Sequence, residues 1–441
     1  MPSLALFNVD HLRRYRGGQI SPVEREQRLE RQLHRRVLYA NVHVGKPRNA
    51  ESIMIYAMDS AMPLLLRMEA LHAIATWDLP HALDRVIGDL RPVEWRSTNN
   101  AFAAVKPLLA TLIDGAKGEP LAKGVSMADT IGYEVPQSRL YDLLVNPTMD
   151  GGARANAVEK WLKRNPANPE LTLTALLADA DDQVFLAALR AIVSRRPDLA
   201  TQVIQLVAFS PRASGYRRQE TVIAIEKLIP KNRDPLLQDA LKKLAEGELP
   251  GLIQLETAAV AEKVAGQSKA VADSLKQWQT AASETSLGDF AVALYGGYDV
   301  RGKEIFETHA AAQCTRCHAL YGRGGNAGPE LGGIGKRASR EYILESLIDP
   351  GAVVASGWGI VSLSLKDGEA VTGTLLKEND KELVVAIGEE ERKIAVSDVA
   401  AKTGPVSAMP PMHALLSKAE LRDLVEFLSR QTNPPPKPKK H

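Results

Sequence analysis

The 441-residue sequence predicts a mainly α-helical protein: an α-solenoid of HEAT-like helical repeats, then a smaller helical domain that carries an antiparallel β insertion. Three patterns carry that prediction. Stripes of small and apolar residues recur at helical spacing between residues 50 and 285, at intervals of about one helical hairpin. Apolar and polar residues alternate between Gly359 and Val399, the period of a half-buried strand. Helical stretches then frame a Gly-rich loop, with an amphipathic helix from Leu416 to Arg430 closing the chain.

Residues 1–49 read as a basic helical segment. Between residues 10 and 48 there are ten Lys or Arg against four acids, including the pairs Arg13-Arg14 and Arg35-Arg36. A basic arm that binds nucleic acid is accompanied by interleaved aromatics or a recognition motif, and neither is present. The segment is read as a solvated helix face, and no nucleic-acid partner is expected. The net charge of +2 selects no class of partner, and the apolar fraction of 45% is that of an ordinary globular chain. The length allows two or three domains. Runs such as Ala61–Leu66 are far shorter than the roughly 20 residues of a membrane span.

Residues 50–285 read as the repeat domain. Ala157, Ala188 and Val222 occupy equivalent stripe positions 31 and 34 residues apart, and turns at Asn165–Pro169 and Arg196-Pro197-Asp198 separate the helices. Leu71, Ile74, Leu189, Ile192 and Ile225 are the expected core. His72 and His81 are read as ordinary helix residues, and Trp77, Trp161 and Trp278 as packing. Stacked repeats leave a curved surface that typically binds other proteins.

The only two cysteines lie in the run Cys314-Thr315-Arg316-Cys317-His318. C-x-x-C-H is the attachment pattern of a c-type haem: two thiols each add to a vinyl group, and the following imidazole lies under the iron. Zinc would need further Cys or His at ligand spacing, and a thioredoxin-like dithiol would follow a strand rather than the helical stretch Arg301–Ala312. The Gly-rich segment Tyr321–Arg337 is not a phosphate loop, because Glu330 and Arg337 stand where that motif needs Gly and Ser or Thr. It suits instead a turn bringing a backbone acceptor to the second imidazole nitrogen, and the Pro329 carbonyl is the candidate partner of His318. For the sixth iron ligand, Met409-Pro410-Pro411-Met412-His413 offers two thioethers and an imidazole. Met409 is preferred, then Met412, then His413.

Gly302–Phe306, CTRCH, GPELGGIGKR, AMPPM and LSKAELRDLVEFL are similar, in that order, to class I cytochromes c. More closely, residues 300–430 resemble the C-terminal haem-binding domain of large secreted planctomycete and verrucomicrobial proteins described as membrane-bound-dehydrogenase-like. The resemblance implies an α-helical cytochrome c domain over residues 286–432, one covalent haem c on Cys314 and Cys317, and His318 and Met409 as axial ligands. In that family the domain often follows helical repeats and a sugar-dehydrogenase-like propeller. No propeller pattern is visible in this chain.

The β insertion, about 359–399, reads as four short strands around Val361–Leu365, Val371–Leu375, Leu383–Ile387 and Ile394–Val396, with Asp367-Gly368 as a tight turn. It is expected to curl into a small barrel leading to Met409. Residues 433–441, rich in Pro and Lys, read as a disordered tail.

With His and Met both on the iron no position is open to substrate, so the expected function is one-electron transfer for a partner dehydrogenase or another cytochrome, not catalysis. The alternatives are a haem enzyme or sensor with a labile Met409, and a scaffold stapled by its haem. Covalent haem attachment in bacteria takes place outside the cytoplasmic membrane, so the chain is expected to be periplasmic or otherwise exported. Met1–Asp10 lacks the features of a signal peptide, and a fragment of a longer exported protein is the expectation.

Overall fold

The computed structural model describes residues 22–83, 88–388 and 390–434. Arg13-Arg14 and the tail from residue 435 lie outside the described residues. The chain divides into two compact units, Met1–Ala188 and Leu189–His441. The division falls within a helix, and the boundary expected near residue 285 lies inside the second unit.

Among the described residues, the first unit contains α1 (Pro22–Val44), α2 (Pro47–Met58), α3 (Leu64–Ala75), α4 (Asn99–Gly115), α5 (Gly118–Ile131), α6 (Gln137–Leu144), α7 (Gly151–Leu162) and α8 (Pro169–Leu176). Helix α9 (Asp182–Arg195) crosses the division. Proline opens α2 and α8 at positions whose N–H has no helical partner. The expected turn before α8 is present, with Asn165 and Asn168 at φ 48° and 51°, the left-handed region that Asn tolerates. Leu71, Ile74 and Trp77 are buried. His72 and His81 are exposed, and His81 Nδ1 accepts from the Leu83 amide. Arg35 pairs with Glu69, Lys160 with Asp129 and Arg164 with Glu134, partners 34, 31 and 30 residues apart.

The second unit continues with α10 (Pro197–Ala208), α11 (Gly215–Ile223), α12 (Pro230–Ala245), α13 (Gln254–Ala265) and α14 (Lys269–Ala282). The same separation recurs: Arg190 to Glu220 spans 30 residues, Asn232 to Asp198 spans 34, and Arg233 to Gln267 spans 34. Next come α15 (Asp299–Thr308), α16 (Cys314–Cys317), a hairpin of β1 (Ala319–Leu320) and β2 (Arg323–Gly324), α17 (Ile334–Arg337), α18 (Arg340–Ile348), a β-sheet and α19 (Lys418–Ser429).

The sheet corrects the sequence reading in two respects. It has five strands rather than four: β3 (Gly359–Leu365), β4 (Ala370–Glu378), β5 (Glu382–Ile387), β6 (Glu390–Ala395) and β7 (Val399–Ser407), in spatial order β6-β5-β4-β3-β7. All neighbours are antiparallel. Val399–Ser407 contains Gly404-Pro405 and little alternation, and it is tolerated as a strand because it lies at an edge. Among the described residues no ladder joins β6 to β7, so the sheet is not a closed barrel. Val361, Leu363, Leu365, Val371, Leu383, Val385 and Ile394 form a core drawn from the sheet alone.

Helix α19 is buried on every side from Leu421 to Leu428, so it is not the one-faced helix that its pattern predicts. Ser417 and Glu420 form its capping box. Its apolar side packs Leu424 and Phe427 toward α15 and α18, with the Phe306 and Phe427 rings 5.7 Å apart. Its charged side is covered as well. Arg422 donates to Glu256 of α13 at 2.6 Å, Asp423 accepts from the Tyr298 amide at 2.8 Å, and Arg340 donates to Glu426 at 2.6 Å. The Tyr298 hydroxyl donates to Gln219 of α11 at 2.7 Å. Helix α13 therefore forms part of the seat of α19, and α11 is tied to it through Tyr298. Burial holds the Glu256 carboxyl above the usual range although Arg422 opposes it, and burial does the same to Asp423.

Candidate haem-attachment site

The site is built from one helical turn and the loop after it. Gln313, at φ 43°, redirects the chain out of α15 and into the single turn α16. That turn closes with the His318 amide donating to Cys314 O at 2.8 Å, which puts both cysteines on one short arc. Both thiols are free; Cys314 is half-buried and Cys317 is exposed. Desolvation raises the pKa of the Cys314 thiol, and the neighbouring Cys317 adds to the effect.

His318 leaves the turn in extended conformation with its ring half-buried. Its Nδ1 lies 2.8 Å from Pro329 O. A carbonyl can only accept, so Nδ1 carries the proton and Nε2 presents its lone pair. Three backbone bonds hold the loop in place: Gly325 N to Thr315 O at 2.8 Å, Gly328 N to Cys317 O at 2.9 Å, and Leu331 N to Ala319 O at 2.9 Å. At Gly328 a Cβ would approach the imidazole Cε1 to 2.7 Å and Nδ1 to 2.9 Å, so the ring occupies the space a side chain would need.

The three candidates for the opposite ligand sit in different surroundings. Met409 is half-buried on the rim of the core formed by α15, α18 and α19, the same core that Cys314, Leu320, Leu331 and Ile334 pack against. Met412 is inside that core at 3% exposure. His413 Nδ1 donates to Ile348 O at 3.0 Å, and its ring lies 5.3 Å from that of Phe290.

Two residues that no haem motif marks close on the same loop. Glu330 accepts from the amides of Tyr321 and Gly332, and Arg337 donates to the carbonyls of Glu330 and Gly332. Their visible signal was only the misfit with a phosphate loop. Among the described residues no group of three or more His, Cys, Asp or Glu is assembled for a metal ion, so the two thiols lack the further ligands that zinc requires.

The donor set fits covalent haem: two free thiols on one turn, an imidazole oriented through its other nitrogen, and a thioether on the rim of the same apolar core. That chemistry is of the kind that attaches and orients a haem. Residues 300–386 match the cytochrome c family model, so the C-terminal part of the chain contains a cytochrome c domain, whose family implies covalently bound haem c. The match runs from α15 through the C-x-x-C-H turn and ends within β5, before Met409. No curated protein matches the chain. Among the described residues no helix is long and apolar enough to cross a membrane.

Proposed function

We propose that the chain is a c-type cytochrome carrying one haem c, bound through Cys314 and Cys317 and ligated by His318 and Met409, that passes single electrons to or from a partner protein. The observation that carries this reading is the His318–Pro329 contact beside two free thiols on one turn. When bound, the haem supplies a reversible one-electron couple. The protein's own groups do the rest. The Pro329 carbonyl fixes the His318 tautomer and makes Nε2 a stronger donor. The core beneath Cys314, Leu331 and Ile334 excludes water from one side.

The helical regions serve as a protein-binding scaffold in this reading. Its support is the recurrence of polar contacts between residues 30 to 34 apart in both units, the interval of stacked helical pairs. The partner is a dehydrogenase or another cytochrome, and the chain works outside the cytoplasm, where haem c is attached. A second reading, a haem enzyme or sensor with a labile Met409, draws support from the half-buried position of Met409 at the rim of the core.

The test is expression with a secretion signal and haem-maturation machinery, followed by denaturing extraction and absorption spectra. Haem that stays with the chain, with a sulfur-to-iron band that is lost in Met409→Ala, supports the electron carrier. Covalent haem without that band favours the second reading, and a chain without haem refutes both.

A further inference from the structure

We propose that Glu330 and Arg337 are positioning residues that act through Pro329 on His318, clasping the loop so that the imidazole keeps its orientation and its basicity. The proposal rests on the haem reading above.

The need for a clasp is visible in the backbone. Leu320 pairs with Arg323, and the two residues between them, Tyr321 and Gly322, have φ of 54° and 77°. A two-residue hairpin turn with both φ positive suits Gly, Asn or Asp. Tyrosine has a Cβ that disfavours it. Something outside the turn must hold it, and Glu330 does. Its Oε1 accepts from Tyr321 N at 2.7 Å and from Gly332 N at 2.8 Å, and its Oε2 accepts from Gly322 N at 3.3 Å. One carboxylate thus joins the turn after His318 to the segment that carries Pro329.

Arg337 closes the other end. Its Nη1 donates to Gly332 O and its Nη2 to Glu330 O, each at 2.6 Å, so a planar fork fixes the carbonyls two residues apart. The peptide that follows Pro329 is held from both its side chain and its carbonyl. Pro329 O has little freedom to leave His318 Nδ1.

A bond from Nδ1 makes the imidazole more electron-rich and favours the oxidised iron. Loosening the clasp should therefore raise the reduction potential. Simple charge removal predicts otherwise: loss of the Glu330 charge raises the potential, and loss of the Arg337 charge lowers it. The two accounts differ in sign at Arg337.

The experiment compares the haem-loaded wild type with Glu330→Gln, Arg337→Gln and Arg337→Lys, by redox titration and by amide hydrogen exchange at Tyr321, Gly322 and Gly332. The expected result is a higher potential in all three variants, about tenfold in the one-electron equilibrium constant or ~59 mV, with faster exchange at those amides. Arg337→Lys is decisive, because it keeps the charge and loses the fork. A lowered potential in Arg337→Gln with none in Arg337→Lys overturns the clasp and leaves a charge effect. Unchanged potential and exchange overturn it too. A wild-type chain without covalent haem overturns the underlying reading, and the clasp with it.

Discussion

The two sides of the candidate site are supported in opposite ways. His318 stands on a loop of some twenty residues whose backbone is bonded to itself at Gly325, Gly328 and Leu331, and whose side chains add the contacts of Glu330 and Arg337. Met409 stands beyond a five-stranded sheet, just past the exposed edge strand β7. His318 is positioned by local hydrogen bonds, whereas Met409 follows a sheet with its own small core and rests on the rim of the helical core. Damage to the loop should therefore register at the imidazole, and damage to the sheet at the thioether.

The largest effect should come from the attachment turn itself. Cys314→Ala combined with Cys317→Ala removes both thiols, and no haem should remain after denaturing extraction. Next comes α19, the floor beneath both sides. Arg422→Leu leaves the Glu256 carboxyl buried without its partner, which should cost about 3–5 kcal/mol in chemical denaturation; adding Glu256→Met should restore most of that loss. A persistent loss in the double variant would show that packing rather than charge fixes this contact. Leu363, 1% exposed in the sheet core, offers a selective break. Leu363→Ala should cost about 2–5 kcal/mol and weaken the sulfur-to-iron band while haem attachment and His318 ligation persist. If His318 ligation fails first, the two supports are not independent.

A smaller, pH-linked effect follows from Glu256 and Asp423, whose carboxyls burial holds above their usual values. The folded form binds these protons more tightly than the unfolded chain. Their contribution to stability is complete below the unfolded values of about 4 and is lost as pH rises through the raised folded values. Denaturation midpoints measured from acid to neutral pH should show this decline, and Glu256→Gln should flatten it. At the bottom of the scale, Arg392→Gln removes a surface ion pair with Glu369 and should leave the midpoint unchanged.

Legibility in the sequence followed how local each feature is. C-x-x-C-H and the proline eleven residues after its histidine are read within one loop, and the structure has His318 and Pro329 in contact. The alternation in β3 is equally plain, because Val361, Leu363 and Leu365 face one core while Ile360, Ser362 and Ser364 face outward. Strand β7 was invisible because an edge strand pairs on one side only and tolerates Gly404-Pro405. The charged face of α19 misled in a different way. Arg422, Asp423 and Glu426 pattern as a solvated face, yet their partners Glu256, the Tyr298 amide and Arg340 come from distant parts of the chain. No window of sequence contains both halves of those contacts. The clasp escaped for a related reason, since Glu330 and Arg337 act on backbone atoms and not on a motif.

The pairing of α15 with α19 also has a consequence in time. Phe306 and Tyr298 meet Phe427 and Asp423 across the whole span of the domain, so its core cannot close until the last helix has arrived. On a chain made or threaded from its N-terminal side, the two thiols are in the open well before that helix follows. The order of residues along the polymer thus gives the cysteines an interval in which to react before the core that Cys314 packs against is complete.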